Sequence, residues 1–255
     1  MMYSRGDSSD FYLGLFVIVF IASIVFLVRF LKKRKVRKER KKYESEQYYQ
    51  VTKVPYEQLR RDVGKNGEYS IYEDLKEFEK EGNRFLFNLY VPKNETEKTE
   101  IDVVMISSAG ILVFESKNYS GWIFGNDRQA TWTQTLPGGA YGGASKEHFY
   151  NPILQNNQHI KALRSFLQQE IPYYSVIVFS DYCTFKKLTV ADPAVHVIHL
   201  HELVPTVTGI LQNAAGRMSN EDVALIYEKL YPLTQVSEEE KEAHVQRIRQ
   251  HYQGK

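Results

Sequence analysis

The segment IDVVMISSAGILVFESK, residues 101–117, constrains the fold more than any other part of the chain. It contains two apolar runs of strand length, separated by the turn-forming residues 107–110. Uninterrupted apolar runs bounded by turn residues are typical of strands that are buried on both faces. The segment therefore predicts an antiparallel hairpin inside a covered sheet, in which residue 106 pairs with residue 111.

The open end of this hairpin is predicted to gather charged side chains. Counting outward from the turn places Asp102 opposite Glu115, and opposed residues point to the same side of a sheet. Lys117 lies on that side too, because side chains alternate along a strand. Two such carboxylates repel each other unless a proton or a cation separates them, and oxygen ligation with places for water suits Mg²⁺ or Mn²⁺. Alternatively, Glu115 and Lys117 form a solvated pair at a strand end, and Asp102 is a turn residue.

Helical and strand-like patterns alternate through the rest of the chain after Pro55. Helices are predicted at residues 65–81, 151–170, 201–213, 219–230 and 237–250, and further strands at 84–91, 174–180 and 195–200. We therefore expect an α/β fold, with a mixed central sheet flanked by helices.

The glycine-rich segment PGGAYGGAS, residues 137–145, predicts a loop. It lacks the G-x-x-x-x-G-K-[ST] pattern of a phosphate-binding loop, so we expect no ATP site on this chain. The single cysteine, Cys183, is typical of a reducing compartment and excludes an intramolecular disulfide framework.

An uncharged segment from Phe11 to Val28 lies near the N-terminus. At about 1.5 Å per residue it nearly spans a hydrocarbon core of roughly 30 Å, and a snorkelling Arg29 extends it. The basic run KKRKVRKERKK follows at residues 32–42, so the positive-inside rule places the N-terminus outside and the remainder of the chain in the cytoplasm. A cleaved signal peptide would carry its positive charge before the apolar run, so we expect an uncleaved anchor in the cell membrane. The basic run is alternatively a nucleic-acid arm.

These patterns predict five consecutive regions. They are an extracytoplasmic N-terminus (1–10), a transmembrane anchor (11–31), a basic juxtamembrane linker (32–54), the main domain (55–232) and a charged C-terminal tail (233–255). Beyond residue 50 the chain has 22 basic and 26 acidic residues, a formal charge of −4, although the whole chain carries +2. The domain is therefore not basic overall.

Five short motifs resemble a known family. They are GKNGE (64–68), ID (101–102), ILVFESKNYSGW (111–122), WTQ (132–134) and NPILQNNQH (151–159). In order and spacing they resemble the NERD (nuclease-related) domain, which is itself similar to the PD-(D/E)xK nuclease superfamily. The resemblance covers about residues 60–180 and implies a restriction-endonuclease-like core.

The resemblance implies a role for each matching residue. Asp102 and Glu115 resemble the metal-binding carboxylates of the superfamily, and Lys117 resembles its catalytic lysine. Glu68 resembles the additional acidic metal ligand that many members carry on the first helix; otherwise it is a first-turn carboxylate that complements the helix dipole. Gln155 resembles the glutamine on the helix after the hairpin in exonuclease-like members.

Three further side chains are predicted to contact nucleic acid. Trp122 and Trp132 either stack on bases, a contact worth roughly 1–3 kcal/mol each, or seal the edge of the sheet. His159 lies four residues after Gln155 on one helical face, where it either positions a phosphate or base or forms hydrogen bonds at the edge of the core.

We therefore expect a membrane-anchored nuclease that uses Mg²⁺ or Mn²⁺ to hydrolyse phosphodiester bonds of DNA or RNA at the cytoplasmic face. The alternative is a catalytically inactive nuclease-like domain that serves as a membrane-proximal binding or scaffold module. The formal charge of −4 favours the alternative, because nonspecific nucleic-acid binding relies on Lys and Arg. The intact set of site residues favours the enzyme, and no motif identifies a protein partner.

Overall fold

The computed structural model describes residues 8–138 and 142–253 of the 255-residue chain. Residues 139–141, in the predicted glycine-rich loop, lie outside the described residues. The chain divides into two compact units, Met1–Glu46 and Gln47–Lys255.

The described part of the first unit is the helix α1, Ser8–Glu44, which is long and apolar enough to cross a membrane. The helix continues through the basic residues 32–42, because Lys, Arg and Glu are strong helix formers. The ion pair between Arg40 and Glu44, 2.7 Å long, adds support at i,i+4 spacing. The predicted anchor positions all lie within this helix: Phe11, Val28 and Arg29.

The second unit contains, in its described residues, seven α-helices and nine strands. The helices are α2 (Gln47–Thr52), α3 (Tyr56–Leu59), α4 (Val63–Leu75), α5 (Pro152–Leu167), α6 (Leu203–Asn213), α7 (Asn220–Leu230) and α8 (Glu238–Gln253), with 3₁₀ turns at Lys76–Glu81, Leu200–Glu202 and Tyr231–Thr234. The strands are β1 (Arg84–Pro92), β2 (Lys98–Ser107), β3 (Gly110–Lys117), β4 (Gly121–Asn126), β5 (Thr131–Leu136), β6 (Ser145–Tyr150), β7 (Tyr173–Phe179), β8 (Cys183–Thr189) and β9 (Val195–His199).

The strands form two sheets, which we call the first sheet and the second sheet. The first sheet has the order β1-β2-β3-β7-β9, in which β1, β2 and β3 pair antiparallel and β7 joins β3 in parallel. The second sheet has the order β6-β5-β4-β8, with β8 parallel to β4. The predicted α/β fold with a mixed sheet and flanking helices is confirmed. The second sheet is an addition, since the sequence patterns had predicted the strands of the first sheet alone.

Helices cover both faces of the first sheet. Apolar side chains of α5 and α7 pack on one face, beside residues of β1, β2 and β3. On the other face, aromatic rings of α2 and α4 pack on β1, and the ring centroids of Tyr72 and Phe87 lie 5.2 Å apart. A strand covered on both sides needs apolar residues at consecutive positions, which accounts for the apolar runs of β1, β2 and β3.

The β2–β3 hairpin has the predicted register, with Ile106 opposite Ile111. This part of the prediction is confirmed. The ladder ends at the pair Val103 and Phe114, so the charged residues of both strands follow where regular backbone pairing stops.

The regular alternation of side chains shifts by one residue beside Asp102. Asn88 of β1 lies opposite Asp102 and has a φ of 52°, in the left-handed region that asparagine tolerates better than most residues. Leu86 and Leu89, on either side of this irregularity, belong to the same core cluster although they are three positions apart. Val104 and Ile101 of β2 show the same shift, which turns the beginning of β2, including Thr99, toward α5.

The C-terminal tail is helical, as predicted, and it packs against the first sheet. Lys98 Nζ of β2 lies 3.2 Å from Glu240 Oε1 of α8. The ring of His244 meets Tyr90 of β1 edge to face, with centroids 5.4 Å apart. The helix α8 therefore packs against β1 and β2.

Candidate active site at the open end of the hairpin

The open end of the β2–β3 hairpin and the helix α5 bring together the four residues predicted to be catalytic. Asp102 lies on β2, Glu115 and Lys117 lie on β3, and Gln155 lies on the first turn of α5. The site is therefore built from a central strand, its neighbour and one covering helix, which are rigid elements of the fold.

The start of α5 is held by its capping residue, Asn151. The Asn151 side chain accepts a hydrogen bond from the Ile153 backbone N–H at 2.9 Å, and Pro152 occupies the first helical position. The Asn151 amide also donates to the carbonyl of Gln129 at 2.7 Å, which ties the helix to the loop between β4 and β5. This anchoring fixes the direction in which Gln155 points.

The Asp102 side chain accepts a hydrogen bond from β3 just beyond the last backbone pair of the hairpin. Its Oδ2 accepts a hydrogen bond from the backbone N–H of Ser116 at 2.9 Å. The carboxylate of this partly exposed residue therefore bridges from β2 to β3 at the point where the backbone ladder has ended, close enough to Glu115 for the two charges to interact.

Glu115 is the centre of the cluster and is only 1% exposed. Its Oε1 accepts a hydrogen bond from Lys117 Nζ, and its Oε2 lies 3.1 Å from Nε2 of His159. The other ring nitrogen of His159 lies 2.8 Å from Thr99 Oγ1. The lysine extends the network, because Lys117 Nζ also donates to Gln155 Oε1 at 3.3 Å. A continuous chain of hydrogen bonds thus links β2, β3 and α5.

The charges of this cluster depend on one another. Burial raises the pKa of Asp102 well above its usual range, and the Glu115 and Glu68 carboxylates raise it further. Burial also opposes the charge on Glu115, but Lys117 and His159 outweigh it and hold the pKa of Glu115 below its usual range. Burial alone would lower the pKa of Lys117, but Glu115 and Asp102 reverse the effect and raise it. Lys117 is therefore a cation at neutral pH.

Glu68 borders the cluster from α4. Its Oε2 accepts a hydrogen bond from Tyr48 Oη at 3.0 Å, and burial raises the pKa of Glu68 to about 7. The helix approaches β3 closely at Gly67, where an added Cβ would overlap Ser116 Oγ and would lie 3.2 Å from Asn118 Cβ. A larger residue at position 67 would require Ser116 or the helix to move.

The predicted divalent cation would have few protein ligands. Within residues 8–138 and 142–253, no three His, Cys, Asp or Glu side chains form a group that could hold a metal ion. The site holds more carboxylates than Lys117 can balance, and the Glu115 and Glu68 carboxylates add to the effect of burial in raising the pKa of Asp102. Asp102 and Glu115 supply oxygen ligands only, and Mg²⁺ typically uses one or two carboxylates together with water and substrate phosphate. The three-carboxylate set that includes Glu68 remains a prediction.

The structure separates the three residues that were predicted to contact nucleic acid. Trp122 is 48% exposed and is available to a ligand. Trp132 is fully buried and stacks on Phe179, so it seals the second sheet against the first and cannot stack on a base. His159 is 3% exposed, and it contacts Glu115 and Thr99 instead of the surface. For Trp132 and His159 the predicted contact with nucleic acid is therefore wrong, because neither side chain reaches solvent.

Sequence reasoning missed the role of Thr99 and the direct contact of His159 with Glu115. A carboxylate accepts hydrogen bonds, so His159 Nε2 donates to Glu115, while His159 Nδ1 lies within hydrogen-bond distance of the Thr99 hydroxyl. No motif includes Thr99, and the shift of alternation that turns it toward α5 leaves no pattern in the sequence.

Comparison with known proteins identifies relatives. The sequence model of the NERD family, the nuclease-related domain, matches residues 63–180. An uncharacterized protein of Bacillus anthracis is 30% identical over 164 residues, which are 64% of this chain and 73% of that protein. No solved structure matches the chain. The matched region extends from the start of α4 to the end of β7 and so includes Asp102, Glu115, Lys117 and Gln155.

Proposed function

Because the chain belongs to the NERD family, we propose that it is a metal-dependent phosphodiesterase that hydrolyses nucleic acid. The observation that carries the proposal is the hydrogen-bonded set of Glu115, Lys117 and Gln155, with Asp102 held beside it. A scaffold has no need for a buried glutamate, a partly buried lysine and a second carboxylate at one strand end, since removing such charges from water opposes folding.

The side chains have complementary tasks in this reaction. Asp102 and Glu115 would hold a divalent cation. Such a cation would polarise a phosphate oxygen and make a nearby water more acidic. Lys117 stays protonated, so it donates a hydrogen bond to the attacking water or to a phosphate oxygen and does not act as a base. Gln155 accepts from Lys117 through Oε1, which leaves its amide N–H groups to donate to the substrate.

The first test is cleavage by the full chain in detergent micelles. Labelled single-stranded DNA, double-stranded DNA and RNA are incubated with Mg²⁺, with Mn²⁺ or with EDTA, beside the variants Asp102→Asn and Lys117→Met. Cleavage that requires the metal and falls in both variants supports the proposal. Melting in the presence of Mn²⁺ gives a readout that does not depend on cleavage: the Tm should rise for the wild type and not for Asp102→Asn.

A second candidate function is a silent nuclease-like module that binds a partner. It is favoured by the formal charge of −4 beyond residue 50 and by the engagement of both Glu115 oxygens by neighbouring side chains. A folded wild type that neither cleaves any of the three substrates nor shows a higher Tm with Mn²⁺ would establish this function instead of the enzyme.

We also propose that α1 anchors the protein in the cell membrane with the second unit in the cytoplasm. The apolar part of α1 is exposed along its length in the described residues, and the basic residues 32–42 follow it directly. Carbonate extraction should leave the protein in the membrane fraction. Protease added outside the cell should leave the second unit intact. Digestion of the second unit would show that it faces the outside and would contradict the proposed orientation.

A further inference from the structure

The second sheet has one buried face and one exposed face. Directly paired residues share a side, and Trp122, Thr135 and Lys146 are paired across β4, β5 and β6. Trp132 of β5 points to the opposite side, where it is buried against Phe179 of the first sheet. The side that carries Trp122 is therefore the outer side of the sheet.

This outer side is basic although the domain is acidic. Lys187 of β8 and His148 of β6 lie in the same row of paired residues as Phe124 of β4. Phe124 is two positions after Trp122, so Lys187 and His148 lie on the same side of the sheet as Trp122. The Lys186 ammonium lies 5.0 Å from the centre of the Trp122 ring. We call the surface formed by Trp122, Lys146, His148, Lys186 and Lys187 the Trp122 face.

The charge of the second sheet is uneven. Its four strands, all within the described residues, contain three lysines and one acidic residue, Glu147. Glu147 pairs with Gln134, whose other partner is the buried Ile123, so Glu147 points away from the Trp122 face. The Trp122 face thus concentrates positive charge in a region of the chain whose formal charge is −4.

The Trp122 face continues from the candidate active site. Ser180, after β7, donates its backbone N–H to the carbonyl of Lys117 at 3.1 Å, and Gly121, at the start of β4, donates to the carbonyl of Tyr182 at 3.1 Å. Ser180 also lines a cleft together with Lys117, and Tyr182, two residues further along the chain, is 82% exposed. A polymer that left the cleft along this segment would reach the face.

We propose that the Trp122 face binds a single-stranded segment of the nucleic-acid substrate, with a base stacked on Trp122 and phosphates at Lys186 and Lys187. An unpaired base offers the flat apolar surface that an exposed indole prefers, and lysines neutralise phosphates. The face supplies the local basic surface that the overall charge of the domain lacks. This inference rests on the proposed function, because it assigns the surface that presents substrate to that site.

Binding is measured first, by fluorescence anisotropy of a labelled single-stranded oligonucleotide in EDTA, with the full chain in nanodiscs of neutral lipid. The triple variant Trp122→Ala, Lys186→Gln, Lys187→Gln should bind at least about tenfold more weakly, and its dependence on salt should be shallower. The matched control is Lys93→Gln, Lys161→Gln, which removes two exposed lysines from outside the face. The control should stay within about twofold of the wild type. Equal affinity of the triple variant and the control, or no binding by the wild type, would overturn the inference.

Hydrolysis of a small diester, bis(p-nitrophenyl) phosphate, separates this inference from the proposed function. The small diester reaches the site without the face, so the triple variant should hydrolyse it at the wild-type rate while losing cleavage of the oligonucleotide. If the wild type hydrolyses the small diester but binds no oligonucleotide, the enzyme stands and the Trp122 face is overturned. If it hydrolyses neither substrate, the proposed function fails as well.

Tryptophan emission tests the competing occupant of the face, an anionic membrane surface. The chain has two tryptophans, and Trp132 is buried, so a change of emission on ligand addition reports on Trp122. The oligonucleotide should change the emission of the wild type and not that of Trp122→Ala. Quenching by nanodiscs that contain brominated phosphatidylserine, without any effect of the oligonucleotide, would assign the face to the membrane and overturn the proposal.

Discussion

The first and second sheets enclose their strands to different degrees. Strand β3 of the first sheet, GILVFESK, is covered from both sides, and its Glu115 is 1% exposed. Strand β8 of the second sheet, CTFKKLT, has one covered side, and its Lys186 and Lys187 are exposed. The two sheets meet through apolar side chains, including the stacked rings of Trp132 and Phe179.

The difference reflects opposite physical demands. Charged groups act strongly on one another where water is excluded, so a carboxylate and lysine pair that must shape a reaction is best enclosed. A lysine that must reach the phosphates of a polymer is best left in solvent on an open surface. The proposed division is therefore that the first sheet performs the chemistry and the second sheet presents the substrate. Hydrolysis of the small diester tests the first role, and cleavage of the oligonucleotide tests both.

The largest effect is expected from Asp102→Asn in the first sheet. The substitution removes one of two carboxylates that would hold the cation, so hydrolysis of both substrates should fall by roughly 10³-fold or more. It also relieves repulsion with Glu115 and Glu68, so the Tm in EDTA should not fall. Rates and Tm are measured on the same preparation. A variant that keeps a tenth of the wild-type rate would show that Asp102 is not needed for catalysis.

The geometry behind that prediction could largely be predicted from the sequence. A four-residue turn and two apolar runs determine the register, and the register places Asp102 beside Glu115 without further information. The placement of Gln155 rested on the resemblance, because periodicity alone does not determine which strand a helix covers. The contact of Thr99 with His159 could not be predicted, since it depends on the irregularity at Asn88.

The next effect is expected from His159, which positions Glu115 and does not touch substrate. His159→Phe removes the hydrogen bond to Glu115 and should lower hydrolysis of both substrates by about 10–100-fold, as is usual for partners of metal ligands. The Mn²⁺ concentration for half-maximal activity should rise. His159→Gln keeps an N–H donor and should restore part of the loss. An unchanged Mn²⁺ requirement in His159→Phe would make the residue a packing residue only.

A smaller effect is expected from the packing of α4 against β3. In Gly67→Ala the added Cβ would overlap Ser116 Oγ and would lie 3.2 Å from Asn118 Cβ, so either Ser116 or α4 must shift. We expect α4 to shift and to carry Glu68 with it, so both activities should fall about tenfold, less than the roughly hundredfold cost of a 1 Å displacement. Ser116→Ala removes the overlapping oxygen and keeps the backbone N–H that Asp102 accepts from. The double variant should therefore recover most of the activity. A double variant as slow as Gly67→Ala would show that the loss has another cause.

The strands of the second sheet could not be predicted from the sequence, because one side of this sheet is exposed and polar. Its strands are six or seven residues long and carry Lys and Thr on the exposed side, so their apolar content resembles that of loops. Glycines at both ends of GWIFGN, residues 121–126, also read as turn signals. A strand whose exposed side carries polar residues for binding a ligand does not have the run of apolar residues by which the strands of the first sheet were predicted.

The smallest effect on the small diester is expected from Gly125→Ala, which disturbs the second sheet alone. An added Cβ would overlap the rigid ring of Trp132, so the variant should be destabilised by about 1–3 kcal/mol. Gly209→Ala in α6 is the matched control, because its Cβ would meet nothing within 4 Å and should raise stability by about 0.5–1 kcal/mol. At temperatures where both variants are folded, Gly125→Ala should hydrolyse the small diester at the wild-type rate. Its rate of oligonucleotide cleavage should fall several-fold, because Trp132 supports the strand that carries Trp122. If the two rates fall together, the sheets do not have separate roles, and the second sheet acts by holding the first in shape.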